Sequence, residues 1–229
     1  MSIFGNLFGN RSQNDTQPST VSQQPATVPH QDTSSTSIPA EREVLLDLSK
    51  GGLLNLEKRE FVNLTKSGVS LSNIRAAAGW DMARFGSNID LDLCAYLFEG
   101  NKLHQTIYYG NKTGKGIYLD GDNLTGAGDG DDENIRINFN SLPPKVDRIA
   151  IAVVIYSSGK IFSGVKNAYV RLVDESQGEQ ELVRYNLSED GGRNTAVVAA
   201  ELKQVNGEWR FVAVGDYSRN SIASLGRSL

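Results

Sequence analysis

The chain has 229 residues, 39% of them hydrophobic and 22% charged, and a net charge of −4. That length holds one good-sized domain, or one domain with a tail, and the acidic balance argues against a nucleic-acid partner, which leaves a basic footprint. The lone cysteine, Cys94, excludes an internal disulfide and points to a reducing cytoplasm; no apolar run reaches the length of a membrane span, and Met1–Phe8 lacks the basic start and long apolar core of a secretion signal.

Residues 1–43 read as a disordered tail. From about residue 10 to 40 Ser, Thr, Gln and Asn surround Pro18, Pro25, Pro29 and Pro39, a composition that cannot bury enough apolar surface to offset chain entropy. The first residues differ, because Ile3, Phe4, Leu7 and Phe8 have i, i+3, i+4 spacing, an apolar stripe if helical. That stripe reads either as a short docking or membrane-touching anchor or as a terminus too short to hold a helix alone.

Strand patterns begin at Val44 and fill a domain over 44–217. Val44–Leu53 and Val62–Val69 each read as strand, polar turn, strand. Ile74–Trp80 predicts a strand ending at Asp81. Asp90–Phe98 alternates with period two: Leu91, Leu93, Ala95 and Leu97 share one face, and Asp90, Asp92, Cys94, Tyr96 and Phe98 the other. Both aspartates therefore stand on one side at the mouth of a core strand. Ile107–Tyr109 and Gly116–Leu119 predict a hairpin through Gly110–Gly114, and Ile135–Phe139 alternates again before the break at Pro143-Pro144. Ile149–Ile155 is apolar throughout, as for a central strand buried on both faces. Ala168–Val173, Glu181–Leu187, Thr195–Leu202 and Trp209–Val214 complete the set, with Asn206-Gly207 as a type I′ hairpin signal. Many short strands and no amphipathic helix predict an all-β chain folded as an antiparallel β-sandwich. Residues 218–229 form a C-terminal extension, either a short helix or a frayed end.

The run from Asp120 to Glu133 holds six carboxylates, one carboxamide and one hydroxyl among four glycines, with no Lys or Arg inside it. Such a run is either a solvated acidic loop or a site for a hard cation, and calcium takes six to eight oxygen ligands. The glycines, which let the backbone bend several oxygens toward one point, favour the metal. The spacing is not that of an EF-hand, since Leu124 and Thr125 occupy the fifth and sixth positions counted from Asp120. Catalytic signals are scarce. His30 and His104 make no zinc pair, Cys94 sits inside a strand as a small buried thiol, and no Gly-x-Ser-x-Gly elbow occurs. Trp80 and Trp209 read as core aromatics.

Gly79-Trp80-Asp81, Asp90-Leu91-Asp92, Gly121-Asp122-Asn123-Leu124-Thr125-Gly126 through Gly130-Asp131-Asp132-Glu133, Asn167-Ala168-Tyr169-Val170-Arg171, Arg184-Tyr185-Asn186-Leu187-Ser188-Glu189-Asp190 and Asn206-Gly207-Glu208-Trp209 follow one another in this chain. Their order resembles that of TerD-type tellurium-resistance and stress proteins, over about Leu46 to Gly215. The resemblance implies a β-sandwich that binds calcium through loop aspartates and serves a bacterial or phage-borne stress response. Carried over residue by residue, it implies Asp122, Asn123, Asp129, Asp131, Asp132 and Glu133 as ligands, with Asp90 and Asp92 from the strand mouth and Asp190 from the turn after Leu187. That is enough oxygen for two adjacent calcium ions, and Asp81 is a weaker candidate that equally caps a turn. The chain departs from the family pattern at Ala127 and Asn186, in Phe162-Ser163-Gly164-Val165, in its C-terminus, and in the extra leader.

The expectation is a non-catalytic, calcium-dependent interaction scaffold in the cytoplasm whose partners are other stress-response proteins, with neither nucleic acid nor a small-molecule substrate. Two other readings follow from the same residues. One is a calcium-dependent module docking on the inner face of the membrane. The other is a magnesium-dependent phosphohydrolase, although no glycine-rich basic phosphate cradle accompanies the acids.

Overall fold

The computed structural model describes residues 40–48, 53–81, 89–121, 130–187 and 191–229, apart from the Gln177 side chain. The Ile3/Phe4/Leu7/Phe8 stripe and the tail as far as residue 39 lie outside the described residues, as do Asp122, Asn123, Asp129 and Asp190.

Period-two alternation of apolar and polar residues builds two seven-stranded sheets. The first runs β1 (Arg42–Glu43), β3 (Glu60–Asn63), β14 (Glu208–Ser218), β13 (Ala196–Val205), β10 (Arg148–Ile155), β5 (Leu91–Glu99) and β6 (Lys102–Ile107). The second runs β2 (Leu54–Asn55), β12 (Gln180–Asn186), β11 (Lys166–Asp174), β4 (Ile74–Asp81), β9 (Glu133–Ile137), β8 (Ile117–Asp120) and β7 (Thr113–Gly114). Their inner faces close on one apolar core, in which Leu91, Leu93, Ile151 and Val153 meet Ile74, Ala76, Ile135 and Leu172. Trp80 and Trp209 are both buried there, as expected.

The sheets are mixed rather than purely antiparallel, because the two-residue edge strands β1 and β2 pair in parallel with β3 and β12. β1 lies before Val44, where the sequence still reads as tail. The expected strands within Val44–Leu53 are not formed among the described residues of that stretch, and Leu64–Gly68 is turn rather than a second strand. Leu45 is 82% exposed, so the apolar run there does not mark a core strand. The expected hairpin after Gly100 is also redistributed. Ile107 ends β6 against Ala95 of β5, while the hairpin itself is β7–β8, with Thr113 opposite Tyr118. Asn206 and Gly207 take left-handed φ values of 53° and 80° between Val205 and Glu208, the geometry a type I′ turn requires.

The apolar character of β10 has a second cause on the outer face of its sheet. There Cys94, Tyr96, Phe98, Ala150, Ala152 and Val154 form a separate cluster closed by Leu225 of α1 (Ile222–Ser228). Ser221 caps this helix by accepting from the Ser224 amide at 3.3 Å. The Tyr96 hydroxyl donates to the Ile222 carbonyl at 2.9 Å, and a Cβ on Gly226 would come within 2.8 Å of the Tyr96 ring. The C-terminal residues are therefore a packed helix, and burying one leucine of this kind contributes about 1.5–3 kcal/mol.

Candidate functional site

The chemistry-bearing residues gather at one end of the sandwich because register leaves them there. β4 runs out at Asp81, three residues beyond the Ala78–Glu133 pair that opens β9. β8 arrives beside it, with Asp120 opposite Asn134, so the described ends of the acidic run, Gly121 and Gly130, flank this edge. β12 ends at Asn186 opposite Tyr169, and β5 starts at Leu91 opposite Ile155.

Glu133 is 1% exposed and reaches from one sheet to the other, where its Oε2 accepts from the Leu93 amide at 2.5 Å. β6 pairs with β5 only as far as Ala95, which leaves the earlier edge of β5 open to that carboxylate. Asp132 donates its backbone N–H to the Ala78 carbonyl at 2.8 Å, and its Oδ2 accepts from the Trp80 amide at 2.9 Å. The Trp80 indole N–H in turn donates to the Ile89 carbonyl at 3.1 Å, tying the end of β4 to the approach to β5. Asp90 is held by its backbone, its amide donating to Ser157 Oγ and its carbonyl accepting from the Tyr156 amide, both at 2.9 Å. Asp92 is 3% exposed. Burial pushes the Cys94 thiol up, and the negative charges of Asp92 and then Glu133 push it further.

Asp131 has a different environment from the one its place in the acidic run suggests. Arg171 clamps it in a fork, Nε to Oδ1 and Nη2 to Oδ2, each at 2.7 Å. Arg75 Nη1 also donates to Oδ2, and the Tyr169 hydroxyl donates to Oδ1 at 3.0 Å. The acidic run carries no Lys or Arg of its own, yet neighbouring strands supply them. Arg75 continues to Glu175 at 2.8 Å and Asn134 at 2.7 Å, Arg171 to Glu181 at 2.5 Å, and Arg136 to Glu175 and Asp120. Arg184 stacks 4.0 Å over the Tyr169 ring. Burial pushes the Asp131 carboxyl up, but the Arg171 and Arg75 guanidinium groups more than offset this and hold it below the usual carboxylate range. Burial and the adjacent Asp131 charge push the Tyr169 phenol up to about 12. Gly79 is required beneath that ring, since a Cβ there would lie 2.4 Å from the tyrosine oxygen. With both oxygens occupied, Asp131 acts as an anchor, and metal coordination would cost it these charge-assisted bonds.

Sequence reasoning missed Arg75 and Arg136 and quoted Arg171 only as part of a motif. The available signal was alternation, with Tyr169/Arg171 and Asn134/Arg136 spaced by two on outward faces. Asp81 is exposed and accepts from Asn167 Nδ2 at 2.5 Å, consistent with a turn-fixing residue.

Asp90, Asp92, Asp132 and Glu133 are the expected ligands that the structure describes at this end and leaves outside the arginine clamp. They are hard oxygen donors of the kind calcium takes. Among the described residues no group of three or more His, Cys, Asp or Glu side chains is close enough to hold an ion alone. These residues suit calcium in kind and supply part of a donor set, with the remaining candidates outside the described residues. Among the described residues no helix is long and apolar enough to cross a membrane.

Residues 53–228 match the family profile of the TerD domain. The chain is 36% identical over 183 residues to general stress protein 16U of Bacillus subtilis (strain 168), covering 75% of this chain and 94% of that protein. It is 36% identical over 190 residues to tellurium resistance protein TerD of Serratia marcescens, covering 79% of this chain and 94% of that one. A solved structure of a homologue of telluride resistance protein (TerD) from Streptomyces coelicolor A3(2) superposes with a TM-score of 0.59 at 20% identity. It covers 68% of this chain and 95% of the other, a likeness of fold.

Proposed function

Because this chain belongs to the TerD family of tellurium-resistance and stress-response proteins, we propose that it is a non-catalytic, calcium-dependent interaction scaffold. Its partners are other stress-response proteins in the cytoplasm. The observation that carries the reading is the buried pair Asp132 and Glu133, held by the Trp80 and Leu93 amides beside the mouth of β5. Burying ionised carboxylates at a strand end is costly in a low-dielectric surrounding, and a divalent cation would offset that cost.

The ligand set we infer is Asp90, Asp92, Asp132 and Glu133 with Asp122, Asn123, Asp129 and Asp190, which offers oxygens for two ions. Asp131 is reassigned to positioning, because its oxygens already receive the Arg75 and Arg171 donors. Bound calcium would supply charge neutralisation and fix the loop ends into a partner surface. The chain's own residues orient the donors and keep water from the Glu133–Leu93 contact.

Amide hydrogen exchange with and without calcium tests the reading. Calcium is expected to slow exchange at Leu93 and Trp80 while leaving the Val205–Glu208 turn unchanged. Unaltered exchange at Leu93 and Trp80 under millimolar calcium would remove the metal reading. Turnover on a panel of phosphate esters above the blank would contradict the non-catalytic one.

A further inference from the structure

A cavity of about 560 Å³ lies on the outer face of the first sheet, between α1 and the ends of β6 and β10. Its volume is in the range of small-molecule sites. Tyr108 and Tyr109, immediately after β6, and Tyr156, immediately after β10, line it together with Asp92. The Tyr108 and Tyr109 rings stand 5.2 Å apart at 80°, and the Tyr109 and Tyr156 rings 5.3 Å apart at 78°, so successive rings meet edge to face as adjoining walls. Tyr108 is fixed by its close approach to Gly110, where a Cβ would come within 2.7 Å of the ring. Tyr109 is 39% exposed and Tyr156 60%, so the mouth is open to solvent. Val154 and Ile222 add apolar surface, and Arg227 of α1 contributes a cation to the lining.

We propose that this cavity binds the ammonium head of a small organic ammonium compound, the head resting against the three tyrosine rings with the Asp92 carboxylate as its counter-charge. Aromatic faces attract a diffuse, weakly hydrated cation through the ring quadrupole. A hard divalent ion would keep its water or seek several oxygens instead. Asp92 is 3% exposed, so its charge acts through a poorly screened medium. Arg227 gives the lining a second, opposite charge, which favours a zwitterion whose ammonium end meets the tyrosines and whose anionic end meets the guanidinium. This assignment does not depend on the calcium reading, although the two share Asp92.

The test is calorimetric titration of the full-length chain in calcium-free buffer, its fold checked by circular dichroism. The probes are choline, its uncharged carbon isostere dimethylbutanol, and glycine betaine. Choline is expected to bind saturably and the isostere to bind at least about tenfold more weakly, with betaine the tightest of the three. Tyr156→Ala and Asp92→Asn should each weaken choline by about three- to tenfold. Arg227→Ala should bring betaine down to the level of choline. Calcium titrations of Tyr156→Ala should match wild type, so failure of the tyrosine site and failure of the calcium site read out separately. Equal affinity for choline and dimethylbutanol, no binding of any probe, or choline binding untouched by Tyr156→Ala would overturn the assignment.

Discussion

Asp131 and Glu133 stand two residues apart in one acidic run and meet opposite surroundings. Asp131 turns to the outer face of its sheet and is gripped by Arg75 and Arg171. Glu133 turns across the sandwich and caps a backbone amide of the other sheet. Residues separated by two share a face only within a continuous strand, and β9 begins at Glu133. Gly130, at φ 104°, and the Asp132 contact with Ala78 break the parity just before it. Carboxylates in one run can therefore do different work, one closing an ion-pair lattice and the other serving a candidate ion site.

The largest expected effect breaks the arginine side of this pair. Asp131→Asn takes from two guanidinium groups the carboxylate they share, leaving Arg75 with Glu175 and Arg171 with Glu181, and should destabilise the fold by about 3–5 kcal/mol. For a chain of this size that lowers Tm by about 6–20 °C, read by thermal unfolding in chelator. A loss under about 1 kcal/mol would show that the clamp is dispensable.

The next effect belongs to the Glu133 side. Calcium at a hundredfold excess over Kd stabilises the native state by about 2.7 kcal/mol, so Tm should rise by about 5–11 °C. Magnesium should do less, because it dehydrates reluctantly and demands a tight octahedron. Glu133→Gln should remove most of the calcium shift. Asp131→Asn should start from a lower Tm but keep most of the shift, which separates anchor from ligand.

Acid sharpens the contrast further. The folded Asp131 carboxyl lies below its unfolded value of about 3.9, and Glu181, pushed up by burial but held down more strongly by Arg184 and Arg171, is likewise lowered. A depressed folded-state value contributes stability that is present above the unfolded value and lost as pH falls through the folded one. Urea denaturation between about pH 7 and pH 3 should therefore show stability from these two groups holding to about pH 5 and falling below about pH 4. Asp131→Asn should flatten part of that fall, and an identical profile in the variant would separate the clamp from the acid response. The smallest effect is expected at Asp81, whose exposed contact with Asn167 should make Asp81→Asn change stability by no more than about 0.5 kcal/mol.

The sandwich was legible where the pattern was local. Ile149–Ile155 read as a doubly buried strand and is one, and Asn206-Gly207 read as a hairpin turn and is one. The mouth of β5 was legible because alternation assigns Asp90 and Asp92 a side before any fold is known. Long-range pairing was not legible. Nothing in Arg42–Glu43 announces a parallel partner at Glu60–Phe61, and the apolar Leu45 suggests a strand where none forms. The arginines that neutralise Asp131 come from positions 56 and 40 residues away in sequence, so the acidic run by itself reads as a single negative cluster. The tyrosine cavity needed the ends of two strands and α1 to be brought together, and no spacing encodes that.

Calorimetric titration of calcium and magnesium into chelator-stripped wild type and Glu133→Gln separates the calcium site proposed at the acidic end of the sandwich from the arginine clamp beside it. The expected result is saturable calcium binding with a stoichiometry up to two, weaker magnesium binding, and loss of at least one calcium equivalent in Glu133→Gln. Equal weak heats for both metals, unchanged by Glu133→Gln, would contradict it.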